Sequence, residues 1–255
     1  MPVRLTWTNN SVPDKNLIYR SDSPMSVGAL PVALAEVAAS ASAFNDMSAI
    51  DGSTYYYRVQ AVRGTDTAIS DQVSILATPP VAPPTVVGTA YGGGFYAGDL
   101  TYGGTTWALI IADVSAELIN TLGCRWKTST TTTSGADSLT DGLANTLAMT
   151  TDVHPASAHC QAYAVGAIDD WYLPSINELG VIYTNLRPAG ASTPALFKTG
   201  GAQALDAQNY YRTSTQFNAT YAYSRRMVDG YTDTSSYSKT ASSVHRVRPI
   251  RRVAR

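Results

Sequence analysis

The chain is poor in cysteine, phenylalanine and charge. Two cysteines, Cys124 and Cys160, among 255 residues are too few for a disulfide-dependent scaffold. They leave two readings open: one bridge formed outside a reducing cytosol, or two buried thiols. Charged residues make up 15% of the chain, and 18 Lys+Arg against 19 Asp+Glu leave a net charge of -1. A protein that coats nucleic acid needs a basic excess to displace counterions, so no nucleic-acid partner is expected. No apolar run approaches the roughly 18 residues that cross a bilayer, so no membrane insertion is expected. The opening Met1-Pro2-Val3-Arg4-Leu5 lacks a basic segment followed by an apolar run, so no secretory signal is expected.

What is present is apolar enough to fold. Hydrophobic residues make up 44% of the chain, which argues against disorder. Tyrosine is abundant, 16 against 4 phenylalanines. An apolar ring with a polar tip suits half-buried, wet surfaces, and this composition fits a β-rich extracellular or virion protein better than a cytosolic enzyme.

The clearest boundary is Ala77-Thr78-Pro79-Pro80-Val81-Ala82-Pro83-Pro84-Thr85, whose four prolines remove backbone donors and stiffen the path. Ahead of it, Val3, Leu5 and Trp7 alternate with polar residues, as do Tyr55, Tyr57, Val59 and Ala61, and period-two runs of this kind are strands. Leu17-Ile18-Tyr19-Arg20-Ser21 is another, closed by Asp22-Ser23-Pro24, and Asp51-Gly52 supplies a turn. The alanine-rich stretch 32–42 favours helix by propensity, but its place among short strands favours strand. Leu5-x-Trp7, Ile18-Tyr19-Arg20-Ser21 and Tyr55-x-Tyr57-x-Val59-x-Ala61, with Ser70 opening the last strand, resemble a fibronectin type III domain over residues 1–78. This copy leaves almost no room for a first strand, so its sandwich edge is either short or open to a partner strand.

Beyond the prolines, Gly92-Gly93-Gly94 and Gly103-Gly104 flank short apolar runs, and Trp107 to Ala112 reads as a buried strand. Neither glycine run opens a helix in a phosphate-binding context, so they are read as tight turns. Thr128 to Ser134 is a polar low-complexity loop expected to lie exposed. Helices are expected on both sides of Pro155. The strongest helix signal is Ser175-Ile176-Asn177-Glu178, a capping box, followed by Leu179, Ile182, Tyr183 and Leu186 at helical spacing. Residues 209–215, 221–227 and 243–250 read as antiparallel strands, the last with Val244, Arg246 and Arg248 on one face and His245, Val247 and Pro249 on the other.

Asp141-Gly142-x-Ala144-Asn145-Thr146, Asp170-Trp171-Tyr172-Leu173-Pro174-Ser175-x-x-Glu178-Leu179, Tyr211-x-Thr213-Ser214 and Val244-x-Arg246-Val247-Arg248 resemble, in order, the Lcl-type C-terminal domain over residues 88–255. The resemblance implies a C-type-lectin-like fold, found in bacterial adhesins and phage tail proteins, and attachment to surface glycans. It does not imply which residues bind. Members of that family usually carry Trp-Ser-Ser where this chain has Tyr211-Arg212-Thr213-Ser214, so a surface built around that tryptophan is altered here. Asp170, Trp171, Leu173, Pro174, Ser175 and Glu178 read as scaffold: Trp171 fills a core, Leu173-Pro174 ends a strand, and Ser175 with Glu178 caps a helix.

No catalytic site is expected, because Glu178 lacks a second carboxylate partner in the sequence. No metal and no other cofactor are expected either. His154, His159, Cys160 and Cys124 do not match zinc-ligand spacing, and Asp152, Asp229 and Asp233 are too scattered for calcium. The candidate binding residues are Tyr221, Tyr223, Arg225, Tyr231 and Tyr237, since sugars stack apolar faces on rings and hydrogen-bond to arginine. Arg246, Arg248, Arg251, Arg252 and Arg255 either grip an acidic partner or lie solvated.

The expected architecture is β-rich and two-domain: a fibronectin type III-like β-sandwich at 1–78, a Pro-rich linker at 79–87, and an α+β C-type-lectin-like domain at 88–255. The expected role is that of a non-enzymatic virion protein of a phage tail fibre or tip, made in the host cytoplasm. Its expected partners are other virion proteins and host cell-surface polysaccharide, with homo-oligomeric or otherwise multivalent display. Capsid decoration and glycan cleavage are the rival roles.

Overall fold

The computed structural model describes residues 3–49, 53–77, 82–166 and 168–255. The chain is β-rich and divides within the proline-rich stretch into two compact units, Met1–Val81 and Ala82–Arg255. The Asp51-Gly52 turn and residues 78–81 of the spacer lie outside the described residues.

In the first unit the strands are β1 (Val3–Thr6), β2 (Lys15–Ser21), β3 (Ala35–Ala38), β4 (Ala43–Asp46), β5 (Thr54–Arg63), β6 (Asp66–Ile69) and β7 (Val73–Leu76). β1 pairs with β4, and β3-β2-β5-β6 form a second antiparallel sheet in which β7 also pairs with β5. The alanine-rich stretch is a strand at its centre, β3, held by β2 from Lys15↔Ala38 to Ile18↔Ala35. Alternation buries Val3, Leu5, Tyr55 and Tyr57 around Ile18 and Ala77. Ser70 does not open the last strand. It sits in the break between β6 and β7, where its hydroxyl accepts the Val59 N–H at 3.0 Å while its own N–H donates to the Val59 carbonyl at 2.8 Å.

The second unit comprises β8 (Ala90–Tyr91), β9 (Gly94–Tyr102), β10 (Thr105–Ala112), β11 (Leu118–Ile119), α1 (Gly142–Leu147), α2 (Pro155–Ala162), α3 (Ile176–Leu186), β12 (Tyr210–Gln216), β13 (Ala222–Arg226), β14 (Thr232–Asp233), β15 (His245–Val247) and β16 (Ile250–Ala254). One sheet has the order β16-β10-β9-β8, the other β11-β15-β12-β13-β14. The expected antiparallel arrangement fails at one place: β12 and β15 run parallel, because the chain returns through a long connection rather than a hairpin. The 243–250 run is also two elements, since β15 ends at Val247. Arg248 and Pro249 are then both buried, which breaks strict alternation.

β10 is buried on both faces, which accounts for its unbroken apolar run. Leu109 and Ile111 pack with Leu179, Ile182 and Leu186 of α3, whereas Ala108, Ile110 and Ala112 pack with Trp171 and Tyr96. Gly103 and Gly104 close the β9–β10 hairpin at φ 59° and 77°, the left-handed pair that a two-residue turn requires. Pro155 opens α2 at its first position, where no N–H is needed, so helices stand on both sides of the preceding loop. Of the Thr128 to Ser134 loop only Thr133 is buried. Lys127 Nζ donates to the Thr132 carbonyl at 2.8 Å, and Lys239 Nζ to the Thr131 carbonyl at 2.9 Å, so two ammonium groups pin an otherwise exposed segment.

Candidate functional site

α3 begins where its sequence says it should. The Ser175 hydroxyl accepts the Glu178 N–H at 3.3 Å, and the Glu178 carboxylate accepts the Ser175 N–H at 2.7 Å. That carboxylate also receives the Tyr172 hydroxyl at 2.6 Å and the Gly142 N–H at 3.1 Å. A side chain at Gly142 would collide with Glu178 Oε2, so the glycine is needed for this approach. Burial nevertheless raises the Glu178 pKa to about 7, against the pull of its donors. Trp171 is 2% exposed and packs edge-on against Tyr163 at 5.2 Å. Leu173 and Pro174 are buried, but they do not end a strand. The segment meets β16 through a single bridge, Tyr172↔Ile250. Asp170, exposed, forms an ion pair with Arg251 at 2.6 Å.

The C-terminal arginines are paired rather than solvated. Arg246 and Arg248 share buried Glu117 at 2.7 and 3.0 Å, Arg246 also reaches Asp206, Arg252 meets Asp141 at 2.8 Å, and Arg255 meets Asp99 at 2.7 Å. Each acid lies far away in sequence, which is why the run alone did not disclose its partners. Tyr211, Arg212, Thr213 and Ser214 are all buried, so that stretch is core and no outer surface is built on it. Arg212 Nε donates to the Cys124 carbonyl at 3.2 Å, and burial pushes its pKa down to about 9, leaving it charged at neutral pH.

Cys124 and Cys160 are free thiols in one apolar cluster with Ala156, Leu173 and Val247, not a bridge. Burial raises the Cys160 pKa, which keeps it an inert thiol. His154 bonds to Thr133 Oγ1 and the Thr150 carbonyl, both at 2.8 Å, and His159 bonds to the Ala116 carbonyl at 2.7 Å. Among the described residues no group of three His, Cys, Asp or Glu could hold a metal ion.

The five candidate binding residues do not gather in one place. Tyr231 meets Tyr210 edge-on and Tyr237 packs on it at a tilt, at 6.4 and 5.3 Å between ring centroids, with Arg226 over Tyr210 and Tyr231. Tyr221 sits at the β12–β13 hairpin, bridged to Ser238. Tyr223 and Arg225 alternate with buried Ala222 and Ser224 and so point to the other side of β13. Tyr223 meets exposed Phe217 edge-on at 5.4 Å, and Arg225 lies over the Tyr183 ring of α3 at 5.7 Å. Sequence spacing missed this split because the tyrosines straddle a hairpin and a long loop.

Arg225 overlooks an open groove of about 550 Å³ that runs along α3. Asn177, Gly180, Val181 and Thr184, one stripe of the helix at three-to-four residue spacing, form its floor, and Asp99 and Leu100 of β9 form the far wall. Arg225 Nη1 donates to the Gly230 carbonyl at 3.3 Å, and its buried Nε has no partner among the described residues. Burial lowers the guanidinium pKa, with Tyr183 pulling the other way. Asp99 is held by Arg255 and by the Tyr96 hydroxyl at 2.8 Å, so its charge is already compensated. Among the described residues the groove therefore carries one cation without a carboxylate partner, beside amide, hydroxyl and aliphatic groups. The α3 stripe could have been found from sequence, since a glycine and three non-bulky residues interrupt the helix's outer face.

No protein-family model, no curated protein and no solved structure matches this chain.

Proposed function

We propose that this is a phage tail protein, of the fibre or the tip, whose second unit attaches to host-surface polysaccharide without cleaving it, and whose first unit is a fibronectin type III-like spacer. What carries the reading is the division of labour around α3. The Asp170 to Glu178 stretch is consumed by scaffold, with Trp171 in a core and the Glu178 carboxylate occupied by three donors, while the outer stripe of the same helix lines a groove of mixed polar and aliphatic groups beside Arg225. Amide, hydroxyl and guanidinium groups around a shallow open groove suit a sugar chain, which is bound by many weak polar contacts and strengthened by multivalent display. A buried carboxylate without access to solvent is a poor general acid for glycosidic cleavage, which needs two carboxyl groups facing each other across a cleft.

The test is to apply the full chain to an array of bacterial surface polysaccharides and to incubate it with those it binds. Retention on a subset of polysaccharides whose size profile stays unchanged is the expected result. A blank array at high micromolar protein removes attachment, and release of shortened fragments replaces it with an enzyme.

A further inference from the structure

We propose that the groove over Gly180 is the glycan subsite and that it selects sugars carrying a carboxylate, an inference that rests on the attachment reading above. Two independent features lead there.

The first is Gly180 itself. Glycine in the middle of an 11-residue helix weakens that helix relative to alanine, so it needs a reason. The fold does not supply one. Gly180 keeps helical geometry, and a Cβ built on it would meet only Arg225 Nη2 at 3.8 Å, an ordinary contact. Helix backbone left bare at the floor of a groove is what a ligand lying directly on α3 requires. The second feature is Arg225. Every C-terminal arginine from Arg246 through Arg255 faces a carboxylate, yet among the described residues Arg225 makes no ion pair and spends only Nη1, on the Gly230 carbonyl. A guanidinium held half-buried in this way, at the edge of the same groove, is matched by the two oxygens of a carboxylate. Asp99 does not oppose this, because Arg255 neutralises it and leaves its remaining lone pairs for sugar hydroxyls. The Asn177 amide can pair with sugar hydroxyls, the Thr184 hydroxyl, which donates to the Gly180 carbonyl at 3.0 Å, can still accept from one, and Tyr223, two residues from Arg225 on the same side of β13, gives a ring for the next sugar's C–H face.

The test is an NMR titration of the ¹⁵N-labelled full chain at constant ionic strength with tetragalacturonate, maltotetraose and inorganic sulfate in parallel. Tetragalacturonate is expected to move the Gly180 amide and the Arg225 Nε–H resonances, and the other two are not. Arg225→Gln is expected to weaken tetragalacturonate binding at least about tenfold by removing a bidentate partner. Gly180→Leu, which fills the floor, is expected to do the same while amide shifts outside the groove stay in place. The inference is overturned if tetragalacturonate moves neither resonance, if maltotetraose or sulfate moves them equally, or if both variants bind as the parent does. The same variants on the polysaccharide array separate the two readings. Parental retention by both variants ends the groove and leaves attachment standing. A blank array, with tetragalacturonate still bound over Gly180, ends attachment to those polysaccharides and leaves the acidic-sugar site.

Discussion

Glu178 shows opposing forces meeting on one side chain. Its carboxylate takes donors from Tyr172, Ser175 and Gly142, all of which favour the charge, yet burial outweighs them and raises the pKa from 4.5 to about 7. The folded protein therefore keeps this proton up to about pH 7, while the unfolded chain releases it near 4.5. The contribution of Glu178 to stability is fully present below 4.5 and is lost as pH rises through that interval, by about 3 kcal/mol in all. His154 works in the opposite sense. Burial lowers its pKa below 6.5, so its contribution is lost as pH falls below that value. Comparing the parent with Glu178→Gln isolates the carboxylate: in urea titrations the parent's advantage over the variant is expected to shrink between pH 4.5 and 7.5. A constant difference across that range would mean the pKa is not raised. Glu178→Leu instead strands two N–H groups and a hydroxyl in the core, and is expected to cost about 3–5 kcal/mol by the same measurement.

At the level of the element, α3 is where sequence and structure agree most closely, because everything that specifies it is local. Ser175, Glu178 and the spacing of Ile176, Leu179, Ile182 and Leu186 fix its start, its inward face and its length. Ser175→Ala is expected to lower stability by about 1 kcal/mol through loss of the cap. Gly180→Ala is expected to raise it by about 1 kcal/mol, seen as a higher Tm of roughly 2–4 °C, since the added methyl meets no close neighbour. A fall in Tm would mean that the fold itself needs this glycine. β10 was equally legible, its unbroken apolar run matching burial on both faces. The tyrosines were not. Period-two alternation sorts residues within one strand, but Tyr221 lies in a hairpin and Tyr231 and Tyr237 in loops, where only tertiary packing decides that the latter two gather around Tyr210. The parallel pairing of β12 with β15 was hidden for the same reason, since nothing local records the direction of a distant neighbour.

Across the second unit, the last residues act as a lace. β16 pairs with β10 from Trp107↔Ala254 to Ile111↔Ile250, and Ile250 also bridges to Tyr172 beside Trp171. Arg251 and Arg252 of β16 and Arg255 just beyond it reach three acids that lie far apart in the chain, Asp170, Asp141 and Asp99. The basic run was visible in the sequence, but its purpose was not, because ion pairs spanning 81 to 156 residues leave no local pattern. Burial grades what each pair contributes. Arg255 and Asp99 retain 23% and 35% side-chain exposure, so Arg255→Ala is expected to cost no more than about 1 kcal/mol and to lose that effect in high salt. Arg248 and Glu117 are each 2% exposed, so Arg248→Ala is expected to cost about 3–5 kcal/mol, chiefly by leaving buried charge short of a partner. Deleting residues 250–255 goes further. It removes the strand beside β10, uncovers Ile110 and Leu109 and strips three acids of their partners. The expected result is loss of the cooperative unfolding transition of residues 82–255 in calorimetry. The first unit's core of Val3, Leu5, Ile18, Tyr55, Tyr57 and Ala77 contains none of the removed residues and is expected to keep its own transition. A truncated chain whose second unit still melts cooperatively near the parental temperature would show that β16 decorates that unit rather than closing it.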